Sequence, residues 1–191
     1  MNTRVRRKAA AIAVVALGVV GVSAAAASGG SGRAGFGTQL SGYEEVPAYS
    51  TTGEGRFAAA LSRSTSEIRY RLTYEGLTGP ALQAHIHFAQ EGVNGGISVY
   101  LCTNLGNGPA GTQACPAGTA GQVTGTIRPV DVLTVMGQGI AAGEFAELVA
   151  AMRADATYVN VHTQLAPGGE IRGQLEPGDD DDDEGDRDRD D

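Results

Sequence analysis

Residues 67–74, Glu67-Ile68-Arg69-Tyr70-Arg71-Leu72-Thr73-Tyr74, decide the fold. Ile68, Tyr70, Leu72 and Tyr74 alternate with Glu67, Arg69, Arg71 and Thr73, which is a period of two. Successive side chains of a strand point to opposite faces, so this segment carries one apolar face and one polar face. It predicts a half-buried β-strand. Working outward, short apolar alternations recur between Gly, Pro, Ser and Asn punctuation at 36–41, 55–62, 84–88, 97–101, 122–127, 157–163 and 170–175. Many short strands separated by turns predict an all-β protein, an antiparallel Greek-key β-sandwich of about eight strands. The last two strands are expected to form a hairpin, because Pro167-Gly168-Gly169 supplies one fixed φ and then two permissive residues.

One segment departs from period two. Phe145, Leu148, Val149 and Met152 stand at i, i+3, i+4 and i+7, which is one face of a helix. Glu144 and Glu147 fall at its start and Arg153 at its end, in the sense the helix dipole favours. The spacing predicts one short α-helix over 144–153 with an exit at Asp155, packed over one end of the β core.

The two ends of the chain do not read as fold. Arg4, Arg6, Arg7 and Lys8 precede 14 apolar or small residues from Ala9 to Val22, and the small residues Ser23 to Ser28 follow. Basic, apolar and small-residue regions in that order predict a secretory signal peptide over 1–27. The apolar run is shorter than the ~20 residues that span a bilayer; retention as an uncleaved anchor is the alternative. No Cys directly follows the run, which argues against a lipoprotein anchor. A Gly/Ser linker occupies 28–35. At the other end Asp179 to Asp191 holds ten acids against two arginines. A block of like charge stays solvated, so 177–191 is expected to be a disordered acidic tail. One domain over 36–176 remains, a usual size for a single core.

The net charge of −8, and the absence of any Lys after Lys8, argue against nucleic acid as a partner, since phosphate contacts need clustered cations. The signal segment implies a secreted or cell-envelope protein, with no membrane contact beyond that segment. In that setting the two cysteines, Cys102 and Cys115, suggest a disulfide closing a Gly- and Asn-rich loop beside the His85 strand. Such a ring contributes about 3 kcal/mol in the chain-entropy account. Two reduced thiols or a thiolate metal site are the alternatives.

The strings HIHF (85–88), YVNVHT (158–163) and PGGEIRGQL (167–175) closely resemble the CHRD domain. So do FAELVAAMRAD just before YVNVHT, and LSGYEEVP (40–47) followed by GEGRFAAAL. The resemblance covers about 36–176. CHRD domains take their name from chordin, an extracellular antagonist of bone morphogenetic proteins, and also occur singly in exported bacterial proteins. Chordin's cysteine-rich repeats have no counterpart in a chain with two cysteines, so growth-factor antagonism is not implied. A second resemblance lies in the histidines. His-x-His on one strand with a late Val-x-Val-His-like strand is similar to the copper site of Cu/Zn superoxide dismutases, which are Greek-key sandwiches with an intrachain disulfide. It implies His85, His87 and His162 at copper-ligand positions. The chain has three His in all, so the fourth copper ligand, which bridges to zinc, has no counterpart, and the His and Asp cluster that holds zinc is also missing.

The residues themselves lead to the same place. His85 and His87 share one strand face, as do Tyr158, Asn160 and His162 on a later strand. If the two strands are neighbours, three imidazoles meet over the polar outside of the sheet. Three imidazoles suit copper or zinc with an open position for water. Glu170, across the hairpin from His162, is placed to orient its ring or to ligate. The plainer alternative is surface histidines bonded to Glu75, Tyr74 or Gln83. Arg172, Glu170 and Gln174 read as solvated pairs, Glu44-Glu45 as a strand-end turn, and Tyr43, Tyr49, Tyr70 and Tyr74 as a possible exposed apolar groove. No Gly-x-Ser-x-Gly elbow and no phosphate-loop signature occurs, so no catalytic residue and no nucleotide cofactor are assigned. The sequence thus predicts an extracellular binding or structural module with an unidentified protein or surface ligand. Copper or zinc on three His is its candidate cofactor, and a dismutase-like metalloenzyme is the alternative.

Overall fold

The computed structural model describes residues 35–178 apart from 63 and 65. The signal segment, nearly all of the linker and the tail from 179 onward lie outside the described residues.

Each of the eight expected strands is present, with ends shifted by up to a few residues. They are β1 (Gly35–Ser41), β2 (Glu54–Leu61), β3 (Ile68–Glu75), β4 (Ala81–Phe88), β5 (Gly96–Thr103), β6 (Gly121–Ile127), β7 (Thr157–Thr163) and β8 (Ile171–Gln174). A ninth, β9 (Glu176–Pro177), adds a short pairing to β1. The helix α1 runs Phe145–Arg153 and buries Phe145, Leu148, Val149 and Met152, the face read from their spacing. It ends where Asp155 takes φ 52°, the left-handed conformation that commonly stops a helix.

The strands pair in the order β5-β4-β7-β8-β1-β2-β3-β6, and each pairing is antiparallel. After β4, β5 and β6 the chain returns through α1 to lay β7 beside β4, which is the connection of a Greek key. β5 and β6 stand at the two ends of the order. Gln113 stitches them together, its amide donating to Leu101 O on β5 at 3.2 Å and to Thr124 O on β6 at 3.1 Å. The sandwich is therefore close to a closed barrel, which protects edges that would otherwise pair with another chain. The disulfide Cys102–Cys115 fixes the base of the loop that carries Gln113.

The core follows the alternation of β3. Ile68, Tyr70, Leu72 and Tyr74 are buried and pack with Phe57 and Leu61 of β2 and Leu40 of β1. Ala84 and Ile86 of β4 and Val159 and Val161 of β7 belong to the same cluster. Tyr70 and Tyr74 are thus core residues, and only Tyr43 of the expected tyrosine groove is well exposed.

The strands β4 and β7 differ from β3 in one respect that matters for function. Every residue of β7 is buried, on both faces. His85 and His87 on β4 are also buried, on the face opposite Ala84 and Ile86. The histidine face of the sheet was expected to meet solvent. It is instead roofed by the turn after β1 and by the loops before β5 and before β8. Asn94 donates to Val46 O at 2.9 Å, tying two of these segments together.

Candidate metal centre

β4 and β7 are hydrogen-bonded neighbours, with His85 opposite Asn160, His87 opposite Tyr158 and Gln83 opposite His162. Alternation on each strand then sends His85, His87, Tyr158, Asn160 and His162 to one side. One ligand atom from each of His85, His87 and His162 lies within 4.8 Å of the others. The closest approach is His85 Nδ1 to His162 Nε2 at 3.2 Å. Two ligands about 2 Å from one ion and 3.2 Å apart subtend close to a tetrahedral angle.

Two of the rings have their protons placed by the backbone. His87 Nδ1 lies 3.0 Å from Gly95 O, and His162 Nδ1 lies 3.0 Å from Pro167 O. A carbonyl only accepts, so in both rings Nδ1 carries the proton and Nε2 presents its lone pair. Metal-binding imidazoles are usually held in this way, through the nitrogen that does not ligate. The expected partners Glu75, Tyr74 and Gln83 do not hold the rings.

Burial keeps all three rings neutral. His85 is fully enclosed, and His87 and His162 are 8% and 7% exposed. Burial, reinforced by His162 and His87, pushes His85 down to about 2. Burial also pushes His87 down to about 4; the Gly95 carbonyl and Asn160 pull the other way, while His162 and Arg172 add to the fall. His162 is lowered too, by burial, against an upward pull from Pro167 O. Neutral imidazole is the form that ligates a metal.

Aromatic rings wall the cluster. Tyr158 stacks on His87 with centroids 4.7 Å apart, and the Arg172 guanidinium lies 3.4 Å over the same Tyr158 ring. Tyr100 meets His85 edge-on at 4.4 Å. Arg172 also donates to Val93 O at 2.8 Å and Asn94 Oδ1 at 3.2 Å, so it is a buried strut of the roof and not a solvated surface charge.

Glu170 takes a different role from the one its position across the hairpin suggested. Its carboxylate accepts from Thr51 Oγ1, Thr78 N, Thr78 Oγ1 and Thr163 Oγ1 at 2.6–2.8 Å. Burial pushes its pKa up, but these hydrogen bonds outweigh it and the net shift is down. Among the described residues no hydrogen bond joins it to His162. It ties three loops together and does not orient the ring. The physical reason is reach: Pro167, in the hairpin turn itself, presents its carbonyl to His162 Nδ1 first.

Glu45 and Asn160 were not singled out for the site. Glu45, just past the one-turn helix Gly42–Glu44, is 7% exposed and accepts from Asn160 Nδ2 at 3.0 Å. Its pKa is raised, chiefly by burial. The signal for Asn160 was already in the alternation, since it shares a face with His162. Nothing local marked Glu45.

The donor set fits a metal ion. His85 Nε2, His87 Nε2 and Asn160 Oδ1 are buried with no hydrogen-bond partner among the described residues. A buried polar atom left unmatched costs about 1–3 kcal/mol. Two ligands of one ion stand at most about 4 Å apart, so a separation of up to 4.8 Å has to close by under ~1 Å when an ion is bound.

Residues 36–175 match the family model described as the CHRD domain. No curated protein and no solved structure matches the chain.

Proposed function

Since the chain belongs to the CHRD domain family, we propose that it is an exported single-domain β module that binds one copper or zinc ion through His85, His87 and His162. The observation that carries this reading is the convergence of three neutral, buried imidazoles, two of them with Nδ1 committed to backbone carbonyls. Side chains that merely fill a surface strand have no cause to meet in this way. The disulfide Cys102–Cys115 and the basic, then apolar start of the sequence support an oxidising, extracytoplasmic location.

A bound copper or zinc ion supplies Lewis acidity, and copper also supplies one-electron redox chemistry. The chain's own contribution is to hold three nitrogens, fix two tautomers and exclude water. Enclosure of the rings favours binding over turnover, because a catalytic site keeps an open position for substrate. A dismutase-like enzyme is therefore the second reading, and superoxide consumption by the copper-loaded chain would be its signature.

The test is metal analysis of the protein purified from the exported fraction, followed by titration of the metal-free chain with copper(II) and with zinc. One equivalent bound is expected, and the joint substitution His85→Ala with His87→Ala should abolish it. A chain that takes up neither ion leaves only an exported β module whose ligand is a protein or a surface.

A further inference from the structure

Asn160 is 3% exposed, and its side-chain oxygen has no donor among the described residues. Its amide cannot simply be turned over. Nδ2 donates to Glu45 Oε1 at 3.0 Å, and an ionised carboxylate only accepts, so the nitrogen faces Glu45 and the oxygen faces away. In the sheet Asn160 stands between His85 on β4 and Arg172 on β8. Arg172, opposite Asn160 in the sheet, directs its guanidinium to Val93 O, to Asn94 Oδ1 and to the face of Tyr158 and makes no hydrogen bond to that oxygen. The oxygen is left without a donor on the sheet face that Asn160 shares with His85, His87 and His162.

Two buried acceptors without donors, His87 Nε2 and Asn160 Oδ1, belong to residues on the sheet face that carries the three histidines. We propose that Asn160, oriented by Glu45, supplies Oδ1 as the fourth donor of the site, so that the chain binds a divalent ion through three nitrogens and one oxygen. This rests on the three-histidine reading above. One chemical argument favours a divalent ion: a carbonyl oxygen is a hard donor, and adding it to three imidazoles shifts preference from Cu(I) toward Zn(II) and Cu(II). The Glu45 carboxylate lies one hydrogen bond behind the proposed oxygen ligand and supplies one negative charge, which offsets the neighbouring Arg172 cation.

The experiment compares the unaltered full chain with Asn160→Leu and with the double substitution Glu45→Leu and Asn160→Leu. The double variant removes both partners of the buried hydrogen bond, which disturbs a fold less than orphaning one. The metal-free proteins are first compared by thermal unfolding, then titrated separately with zinc, copper(II) and copper(I). Loss of one supporting or ligating group is expected to weaken Zn(II) and Cu(II) binding about 10–100-fold, with Cu(I) affinity changed less than threefold (about 0.7 kcal/mol). Equal Zn(II) and Cu(II) affinity in a folded variant would overturn the role of Asn160 and leave the histidine site standing. Failure of the unaltered chain to bind any of the three would overturn both. A zinc-loaded crystal structure of the unaltered chain gives a reading free of substitutions. Asn160 Oδ1 is expected at about 2.0–2.2 Å from the ion, and an oxygen facing away from it would refute the proposal.

Discussion

The Nδ1 of His85 and the Nε2 of His162 face each other at 3.2 Å, although 77 residues separate them in the chain. Because His162 Nδ1 donates to Pro167 O, its Nε2 is the acceptor of this pair and His85 Nδ1 the donor in the metal-free protein. An ion bound by His162 Nε2 therefore has to replace that contact. Binding to the folded chain alone stabilises it, by about 2.7 kcal/mol at a free concentration one hundred times the Kd. For a domain of this size that corresponds to a rise in Tm of roughly 10 °C. Thermal unfolding with and without zinc measures it. His162→Ala should show no such rise, and a zinc-dependent rise retained in that variant would remove His162 from the site.

Acid should unfold the metal-free protein early. All three histidines have pKa values lowered in the folded state, to about 2 for His85 and about 4 for His87. The unfolded chain therefore binds more protons below pH ~6.5. A lowered folded value contributes stability that is present above the unfolded pKa and is lost as pH falls through it. Each histidine then removes up to about 1.4 kcal/mol per pH unit. Glu45 acts in the opposite sense. Its value is raised in the folded state, so it favours the fold at low pH, and that contribution is lost as pH rises through the raised value. Three groups against one leave a net loss between pH 6.5 and 4.5. Urea midpoints measured at both ends of that window test it, and an unchanged midpoint would show that the rings are not buried neutral.

Much of this was readable from residues in order, and the limits are instructive. The period of two at Ile68, Tyr70, Leu72 and Tyr74 is a local consequence of burial on one face, and the strand it predicts is present. The spacing of Phe145, Leu148, Val149 and Met152 gave the helix for the same reason. The histidines could be grouped because His85 and His87 share a face by alternation and β4 turned out to neighbour β7. Their burial was not legible. It depends on three loops folding back over the sheet, and no periodicity reports where a loop goes. Arg172 shows the same limit. On its strand it alternates as a surface residue would, yet the ring of Tyr158 and the carbonyl of Val93 accommodate it inside.

Glu170 offers a clean separation of scaffold from site. Its carboxylate gathers Thr51, Thr78 and Thr163 from three parts of the chain and makes no hydrogen bond to the rings. Glu170→Ala leaves the buried Thr163 Oγ1 unmatched and removes three further bonds to the less buried Thr51 and Thr78, so a loss of about 1–3 kcal/mol is expected. Denaturant unfolding measures that loss. Zinc stoichiometry at a temperature where the variant is still folded should remain at its unaltered value. A folded Glu170→Ala protein that bound no zinc would return this residue to the ligand set.

Gly169 extends the same reasoning to the roof. Its φ is +131°, a conformation that side chains rarely adopt, and a Cβ placed there would collide with Asn160 Nδ2 and Glu45 Oε1. Gly169→Ala thus strains the backbone, at about 1–3 kcal/mol, and pushes directly on the pair that orients Asn160. Two effects are expected together: a lower denaturation midpoint and weaker Zn(II) binding than in the unaltered chain. Ala substituted at Gly168 provides the comparison, because that position has open space around it and an ordinary φ. Gly168→Ala should leave metal affinity within error of the unaltered protein. If the two substitutions behave alike, contact between this turn and the Glu45–Asn160 pair has no bearing on the ion. If only Gly169→Ala weakens binding, the turn before β8 is part of what holds the site in shape.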